Sequence, residues 1–487
     1  MSNLSELLPT GGGQNAVDFV ATGTLASGQT VALKADGTVE AVAGVAQGVG
    51  AESVFESAQS DFVTATFDSN SNKVVIAYKD DANSSYGTAV VGTVSGTSIS
   101  FGTPVVFENA LAQVISITFD STANKVVISY ADGGNGYYGT AIVGTVSGTS
   151  ISFGTAAVFN SGTTGYLSTT YDSTNNRVVI AYQDNTPYAY GDGTAIVGTV
   201  SGTSLSFGTA VVFENASTVW TTAVYDSTNG KIVIAYSDQG NSSYGTAIVG
   251  TVSGTSISFG TAVVFQTTQP SYNSATYDST NNKVVIGYRD AGNSYYGTAV
   301  VGTVSGTSIS FGTAVVFNSA STFYTSATFD STANKVLIAY RNAGNSDYGT
   351  AIVGTVSGTS ISFGNETVFN TANSFYITTT YDSNNNKPVI AYRDAGNSFY
   401  GTAVVFTVAS TNLSATTFLG ITSEAISSGA TGAINTYGGI NSVQTGLTIA
   451  SDYYVQSDGS LSTASASPAI KVGQAVSATT INMKDLT

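Results

Sequence analysis

The hydrophobic and polar positions of this chain follow one short pattern that recurs along most of its length. A stretch of small, alternating residues ends in an aromatic residue and an aspartate, and a nearly continuous apolar run follows. In the sixth copy, alternation predicts a strand at 324–329, and the apolar run predicts a strand buried on both faces at 335–340. Two more strands are predicted at 350–356 and 360–363, joined by a Ser-Gly-Thr turn. Each copy therefore reads as four antiparallel strands.

The aromatic-aspartate pair occurs seven times, at spacings of 52 or 54 residues. The pairs are Phe67-Asp68, Phe119-Asp120, Tyr171-Asp172, Tyr225-Asp226, Tyr277-Asp278, Phe329-Asp330 and Tyr381-Asp382. A fixed period of this length is typical of propellers and solenoids. A β-solenoid usually repeats at a shorter period and needs no hairpin turn after every strand. The favoured prediction is an all-β fold, a seven-bladed β-propeller with four antiparallel strands per blade.

The residues before the first copy predict how the array ends. The segment 48–55 aligns with 362–369 of the sixth copy, whereas the seventh copy degenerates at 412–415. We expect the earlier segment to supply the outer strand of the last blade. Such pairing would remove the exposed sheet edge that an open array leaves.

The two chain ends do not fit the repeat. Residues 16–45 and 418–487 share an Asp-Gly pair between alternating stretches, at Asp36-Gly37 and Asp458-Gly459, which is a strong hairpin signal. We expect one small β-domain built from both ends, with the propeller at 46–417 inserted between them. Residues 1–15 finish in a Gly-rich segment and are predicted to be a flexible docking tail.

Composition narrows the classes of function. The chain has no Cys and no His, which excludes disulfides, zinc sites of the Cys/His type and histidine-based catalysis. A net charge of −16 argues against nucleic-acid binding. Apolar stretches are too short for membrane insertion, and the chain start carries no signal-peptide pattern. We expect no cofactor.

The chain ends resemble proteins of a known class. The opening sequence, Met-Ser-Asn-Leu-Ser-Glu-Leu-Leu-Pro-Thr-Gly-Gly-Gly-Gln-Asn, resembles the start of tail-fibre-like and other appendage proteins of marine tailed phages, including cyanophages. The segment from Leu447 through Tyr453 and Asp458 to Leu486 is similar to a β-module of such proteins. The middle of the chain resembles repeat propellers in general.

The resemblance implies a virion structural protein, located in the particle, whose propeller face binds the host surface. It also implies other phage structural proteins as partners, reached through the N-terminal tail and the terminal β-domain, and assembly as a homo-oligomer. Two alternatives stay open. The chain could be a capsid or tail decoration protein without receptor binding, or a cellular lectin-like adhesin.

Most candidate binding residues stand at one repeat position, which is aromatic in six of the seven copies. Five residues before each aromatic-aspartate pair stand Phe62, Val114, Tyr166, Trp220, Tyr272, Tyr324 and Tyr376, and the loops after the second strands add Tyr137, Tyr295 and Phe399. Aromatic faces suit sugar rings, so these residues predict a site for a host glycan or receptor. The alternative is that the rings pack between blades at the start of the first strand.

The connections from the fourth strand to the next first strand, such as 56–62, diverge between copies and are predicted to be surface loops. Because the aromatic position recurs, we expect seven similar sites, an arrangement that suits binding better than catalysis. Sialidases are also propellers, but their Ser-x-Asp-x-Gly-x-Thr-Trp box is absent, and the arginines are Arg177, Arg289, Arg341 and Arg393. A glycosidase pair of carboxylates stays open, but the favoured prediction is that the chain is not an enzyme.

Two recurring sets of charged residues are explained without a site. The loop motif Asp-x-Gly-Asn-Ser, as at Asp290 and Asp394, raises the question of calcium. Bonding of each Asp to its own turn explains the motif as well, and we predict no metal site. Asp and a basic residue also face each other across the turn after the first strand, as at Asp226 and Lys231, which hairpin electrostatics explains.

Overall fold

The computed structural model describes residues 16–186, 191–465 and 468–483, so the predicted docking tail at 1–15 lies outside the described residues. Within these ranges the protein is all-β, and no helix is long and apolar enough to cross a membrane. The chain divides into two compact units. The repeat unit comprises Gly48–Val408, and the chain-end unit comprises the described residues on either side of it.

The repeat unit is propeller-like, because every copy of the repeat adds antiparallel strands in the same order. The first strands are Ser53–Asp68, Val105–Asp120, Ala157–Asp172, Val211–Asp226, Val263–Gln266 with Pro270–Asp278, Val315–Asp330 and Thr367–Asp382. The second strands are Lys73–Asp80, Lys125–Asp132, Arg177–Asp184, Lys231–Asp238, Lys283–Asp290, Lys335–Asn342 and Lys387–Asp394.

The third and fourth strands complete each copy. The third strands are Tyr86–Ser95, Tyr138–Ser147, Asp192–Ser201, Tyr244–Ser253, Tyr296–Ser305, Tyr348–Ser357 and Tyr400–Thr407. The fourth strands are Ser98–Phe101, Ser150–Phe153, Ser204–Phe207, Ser256–Phe259, Ser308–Phe311 and Ser360–Phe363. Short 3-10 turns lie at Gly133–Asn135, Ala343–Asn345 and Ala395–Asn397.

Each long first strand belongs to two neighbouring repeats. The beginning of Val105–Asp120 pairs with Tyr86–Ser95 of the preceding repeat, and its end pairs with Lys125–Asp132 of its own repeat. The sequence predicts loops at these connections, and the structure corrects that prediction. The backbone stays in a strand because its polar groups bond to the preceding third strand, and a break between Gln266 and Pro270 occurs in the fifth repeat.

The segment before the first repeat pairs with the last repeat, as the alignment of 48–55 predicts. Gly48–Val49 and the start of Ser53–Asp68 both bond to Tyr400–Thr407. The Phe55 ring packs against Tyr78 at 5.2 Å between ring centroids. This segment therefore contributes both backbone hydrogen bonds and buried apolar surface to the repeat unit.

The core of the repeat unit lies between consecutive repeats. Alternate residues of each second strand face opposite neighbours: Val74 and Ile76 pack with Val405, whereas Val75 packs with Ile128. All these side chains are fully buried. The unbroken apolar run of the second strand is thus explained, because both of its faces are covered.

The chain-end unit joins the two ends of the chain by strand pairing. One sheet orders Ala16–Val20, Thr431–Asn435, Phe418–Thr422, Thr30–Leu33 and Val39–Ala41, and another orders Ile440–Asn441, Ile481–Asn482, Ile470–Ala475, Asp452–Val455 and Leu461–Ser462. Gly37 and Gly459 turn both predicted hairpins at positive φ. Residues 409–417, which the sequence assigns to the repeats, group with this unit because Ser410–Thr411 pairs with Gly44–Val45.

Candidate binding site

A β-bulge interrupts every first strand at the repeated aromatic position. The pairing register shifts between Val219 and Thr222, for example, and at the equivalent place in the other six repeats. The first residue of each bulge has a positive φ, between 41° and 57°. A bulge re-aims a side chain. A bulky residue with positive φ is an outlier that the surrounding structure must hold, at a cost of about 1–3 kcal/mol.

The seven bulge residues meet around one space, which we call the aromatic cavity. It has a volume of about 490 Å³, and all seven line it: Phe62, Val114, Tyr166, Trp220, Tyr272, Tyr324 and Tyr376. Neighbouring rings touch, with centroids 4.3 Å apart for Trp220 and Tyr272 and 5.2 Å apart for Phe62 and Tyr376. The sequence predicts seven similar sites; the structure instead unites these positions in one cavity.

The rings of the cavity contact one another, but they are not part of the sealed core. Trp220 is half-buried, whereas the core tyrosine Tyr236 of the same repeat is fully buried. Burial raises the pKa of Tyr376 to about 12 and also raises the pKa values of Tyr166 and Tyr272. These phenols therefore stay protonated at neutral pH, where their hydroxyl groups can donate hydrogen bonds to a ligand.

A second layer of side chains lies next to the aromatic cavity, at the position after each bulge residue. These side chains line a space of about 300 Å³ and are Val63, Ile115, Leu167, Thr221, Asn273, Thr325 and Ile377. Both amide atoms of Asn273 and the hydroxyls of Thr221 and Thr325 are buried with no hydrogen-bond partner among the described residues. The layer is polar on three consecutive repeats, so a ligand or solvent is needed there to complete its hydrogen bonds.

Cations and aromatic rings alternate along one side of the cavity rim. The Arg289 guanidinium lies 4.0 Å from the Tyr295 ring and 4.4 Å from the Phe323 ring. Arg341 lies 4.3 Å from Phe323, and Arg393 lies 4.4 Å from Phe375. We call these three arginines, together with Lys79 of the first repeat at 5.9 Å from the Phe62 ring, the basic rim. Such cation–π contacts are worth about 0.5–2 kcal/mol each.

The basic rim is one-sided. Lys79 of the first repeat occupies the same repeat position as the three arginines, but the second, third and fourth repeats carry Ala131, Gln183 and Ser237 there. The sequence predicts neither the rim nor the part that Phe323 and Phe375 play in it. The recurrence of arginine at one repeat position is the signal that could have found it.

The three loop aromatics are separate from the aromatic cavity. Tyr137, Tyr295 and Phe399 are 39%, 47% and 40% exposed and lie outside its lining. Tyr295 stacks on Arg289, and Phe399 lies 5.3 Å from Arg393 and 6.3 Å from the ring of Phe375. Tyr137 follows the strand that carries Ala131, so it stands where the rim has no arginine.

The acidic loop residues bond to their own turns. Asp132 accepts a hydrogen bond from the Gly134 backbone at 2.9 Å, and Asn342 does the same from Gly344 at 3.0 Å. Because an amide serves equally well, this position does not require a charge. Within the described ranges, no three acidic side chains form a group that could hold a metal ion.

Asp226 and Lys231 are opposite each other across the turn after the first strand, but their side chains form no ion pair. Asp226 accepts from the backbone of Thr228 and Asn229, and Lys231 donates to Thr251 at 2.8 Å. The sequence analysis explains the recurring Asp by attraction to the basic residue, and the structure corrects this: the Asp accepts hydrogen bonds from the backbone of its own turn. The Asp recurs because it completes the turn.

Comparison with solved structures finds similar chains at low sequence identity. The chain is similar to the β-propeller domain of Cps50 (Swd1) from Myceliophteria thermophila, at 7% identity over 74% of this chain and 100% of that chain, with a TM-score of 0.47. It is also similar to a leech intramolecular trans-sialidase, at 9% identity over 73% of this chain and 69% of that chain, with a TM-score of 0.43. No protein-family model and no curated protein matches the chain. These likenesses are too distant to bear on function.

Proposed function

We propose that the chain is a virion structural protein of a tailed phage, a tail fibre or similar appendage, whose aromatic cavity binds a saccharide of the host surface. The observation that carries the binding proposal is the convergence of seven strained bulge residues on one cavity. Strain of this kind is usually kept where a site needs it. The phage assignment is supported by the resemblance of both chain ends to phage appendage proteins.

The proposal includes a seven-bladed propeller with about 52 residues per blade. The seven copies of the repeat and the pairing of Gly48–Val49 with Tyr400–Thr407 support this count. So does the contact of Phe62 in the first repeat with Tyr376 in the seventh. In such a ring the bulge residues surround the axis, which accounts for their meeting in one place.

The lining of the cavity suits a sugar better than a purely apolar ligand. Half-buried rings such as Trp220 and Tyr272 offer flat faces to the C–H side of a pyranose. Protonated tyrosine hydroxyls and the unpartnered amide of Asn273 can bond to ligand hydroxyls. The cavity volume of about 490 Å³ is within the usual range for small-ligand sites, about 300–1,000 Å³.

Binding can be tested with two alanine variants, one of which removes a ring inside the aromatic cavity and the other a ring outside it. Trp220→Ala removes the ring with the closest ring contact in the cavity, and Tyr137→Ala removes an exposed ring outside it. On an array of bacterial surface saccharides, Trp220→Ala should lose about tenfold or more in affinity, as for a central anchor residue, and Tyr137→Ala should bind like the wild type. Equal binding by both variants, or no saccharide binding by the wild type, would contradict the proposed site.

The place of the protein is tested separately, by immunogold labelling of purified phage particles and of intact bacterial cells. Labelling of a tail appendage would support the proposal. Labelling of the capsid, with no saccharide binding, would favour a decoration protein. Labelling of a bacterial cell surface instead would favour a lectin-like adhesin. The oligomeric state and the partners of the chain-end unit are part of the same proposal, and cross-linking within the particle tests them.

A further inference from the structure

The cations of the basic rim differ in how far they are neutralised. Lys79 and Arg393 both form ion pairs with Asp61, and Lys79 also pairs with Asp81 at 2.9 Å. The Arg341 Nε lies 3.4 Å from the Asp347 carboxylate. Arg289 forms no ion pair with any described residue. One guanidinium of the rim is therefore left without a counter-charge.

The carboxylate next to Arg289 in the chain is already engaged. Asp290 accepts hydrogen bonds at 2.6 Å from both Gln266 and Thr268, and at 2.9 Å from the Gly292 backbone. It is also buried. Asp290 thus completes its own loop and is not free to neutralise Arg289.

The surroundings of Arg289 direct it toward a ligand. The rings of Tyr295 and Phe323 stack on the guanidinium, so the ligand must approach its edge. On that edge Nη2 donates to Ser321 at 3.3 Å, and Nε is buried with no partner. Burial lowers the pKa of Arg289, and the charge of Arg341 adds to this effect. A partly buried, unpaired cation is costly until an anion meets it.

We infer that Arg289 binds the anionic group of an acidic saccharide whose ring occupies the aromatic cavity. A guanidinium edge matches the planar carboxylate of a uronic or sialic acid and the oxygens of a sulfate ester. The Phe323 ring that stacks on Arg289 also contacts Tyr272 at 5.9 Å, so the stack continues into the cavity wall. The inference rests on the proposed saccharide site and specifies its ligand class.

The negative net charge of the protein does not oppose this assignment. The chain carries 14 basic residues against 30 acidic ones, yet four of the basic residues stand on one rim. Repulsion from distant carboxylates is screened beyond about 8 Å at physiological salt. A direct guanidinium contact in a partly buried site is screened far less. The electrostatic energy of an anionic ligand in the site therefore depends mainly on its direct contact with the basic rim.

Tryptophan fluorescence of the intact protein tests the inference, because Trp220 is the only tryptophan and lines the cavity. The probes are galacturonate, N-acetylneuraminate and sulfated galactose oligosaccharides, each beside its neutral methyl ester or desulfated form. We expect at least one acidic probe to change the emission and to bind at least about tenfold more tightly than its neutral form. Arg289→Gln should abolish that preference, so that the acidic probe and its neutral form bind alike.

The matched control is Arg177→Gln, since Arg177 is a half-buried arginine outside the cavity lining, and its Nε donates to the Gly254 carbonyl at 2.8 Å. It should keep the preference, and circular dichroism should show both variants folded. Equal affinity for acidic and neutral probes in the wild type would overturn the anionic ligand while leaving the saccharide site intact. A preference that survives in Arg289→Gln would overturn the role of Arg289. Failure of every probe to bind would overturn both the inference and the proposed function.

Discussion

The two ends of each first strand follow different rules. At the turn end, the four repeats that carry tyrosine in the aromatic-aspartate pair share one contact, in which the hydroxyl donates to a threonine of the preceding repeat. The hydroxyl of Tyr277 donates to Thr228 at 2.6 Å, for example, and that of Tyr381 donates to Thr332 at 2.9 Å. At the bulge end, the seven residues are of four types, and the rim is basic on four repeats and uncharged on three. A contact between identical repeats needs the same partners in each copy. A shared cavity does not, so its lining is free to differ.

The difference separates what holds the repeat unit together from what it offers to a ligand. The hydrogen bonds at the turn ends are individually weak, but they recur from repeat to repeat. The bulge end instead places strained residues around a space that stays partly open. We therefore expect substitutions at packed contacts between repeats to act on stability, and substitutions at the bulge end to act mainly on binding.

The largest stability effect should come from a glycine where neighbouring repeats touch. A Cβ on Gly208 would overlap the carbonyl oxygen of Thr255 in the next repeat, and a backbone oxygen has little freedom to move aside. Gly208→Ala should therefore cost about 3 kcal/mol, toward the upper end for overpacking. Urea unfolding measures the loss.

Gly364 provides the matched control, because it occupies the same repeat position and the nearest atom to an added Cβ is the Val353 carbonyl oxygen at 3.8 Å. Gly364→Ala should be neutral or stabilise by about 0.4–1 kcal/mol, since alanine restricts the unfolded chain. If both variants lost the same stability, close approach between repeats would not explain the glycine.

A second prediction compares aspartates at the two ends. Asp172 is fully buried and accepts hydrogen bonds from the backbone of Thr174 and Asn175, each at 3.0 Å. Asp132 is half-buried and accepts one from Gly134. Asp172→Ala should cost about 2 kcal/mol, because two turn N–H groups lose their acceptor, whereas Asp132→Ala should cost less than about 1 kcal/mol. Thermal unfolding measures both losses. A larger loss of stability in Asp132→Ala than in Asp172→Ala would contradict the prediction.

Local patterns account for most of the strands. The predicted second strand at 335–340 is present as Lys335–Asn342, and the predicted fourth strand is Ser360–Phe363 itself. These elements follow from alternation, apolar runs and tight turns, all of which are local. The fusion of the fourth-to-first connection into one strand is not local, because it depends on pairing with the preceding repeat.

The site was only partly predictable for a related reason. The repeat identified Trp220 and its equivalents as candidates, but a two-residue bulge breaks the alternation that would show where they point. Their meeting in one cavity depends on residues more than 50 positions apart. The stacking of Arg289 between Tyr295 and Phe323 likewise joins two repeats, and spacing within one copy contains no sign of it.

The smallest effect should be a pH dependence on the bulge side of the first strand. Glu108 accepts a hydrogen bond at 2.8 Å from the hydroxyl of the buried Tyr130. Burial raises the pKa of Glu108, and the nearby Asp132 adds to the shift. The folded protein thus binds this proton more tightly than the unfolded chain. The resulting stabilisation is fully present below the unfolded pKa, near 4.5, and is lost as pH rises through the folded pKa.

Glu108→Gln should therefore raise stability slightly at pH 7 and lose that advantage toward pH 4. A glutamine carries no charge and has an amide oxygen that can accept from Tyr130, and the fifth repeat already has Gln266 at this position, whose Nε2 donates to the Tyr288 hydroxyl at 3.4 Å. Melting temperatures between pH 4 and pH 7 measure the difference, with the exposed Glu424→Gln as a control for net charge. Because the same substitution at Glu424 removes the same charge from the surface, only the Glu108 variant should change the slope of stability against pH. An advantage that grew as the pH fell would mean that the Glu108 carboxylate is stabilised in the folded state, and the bulge side would then resemble the turn end after all.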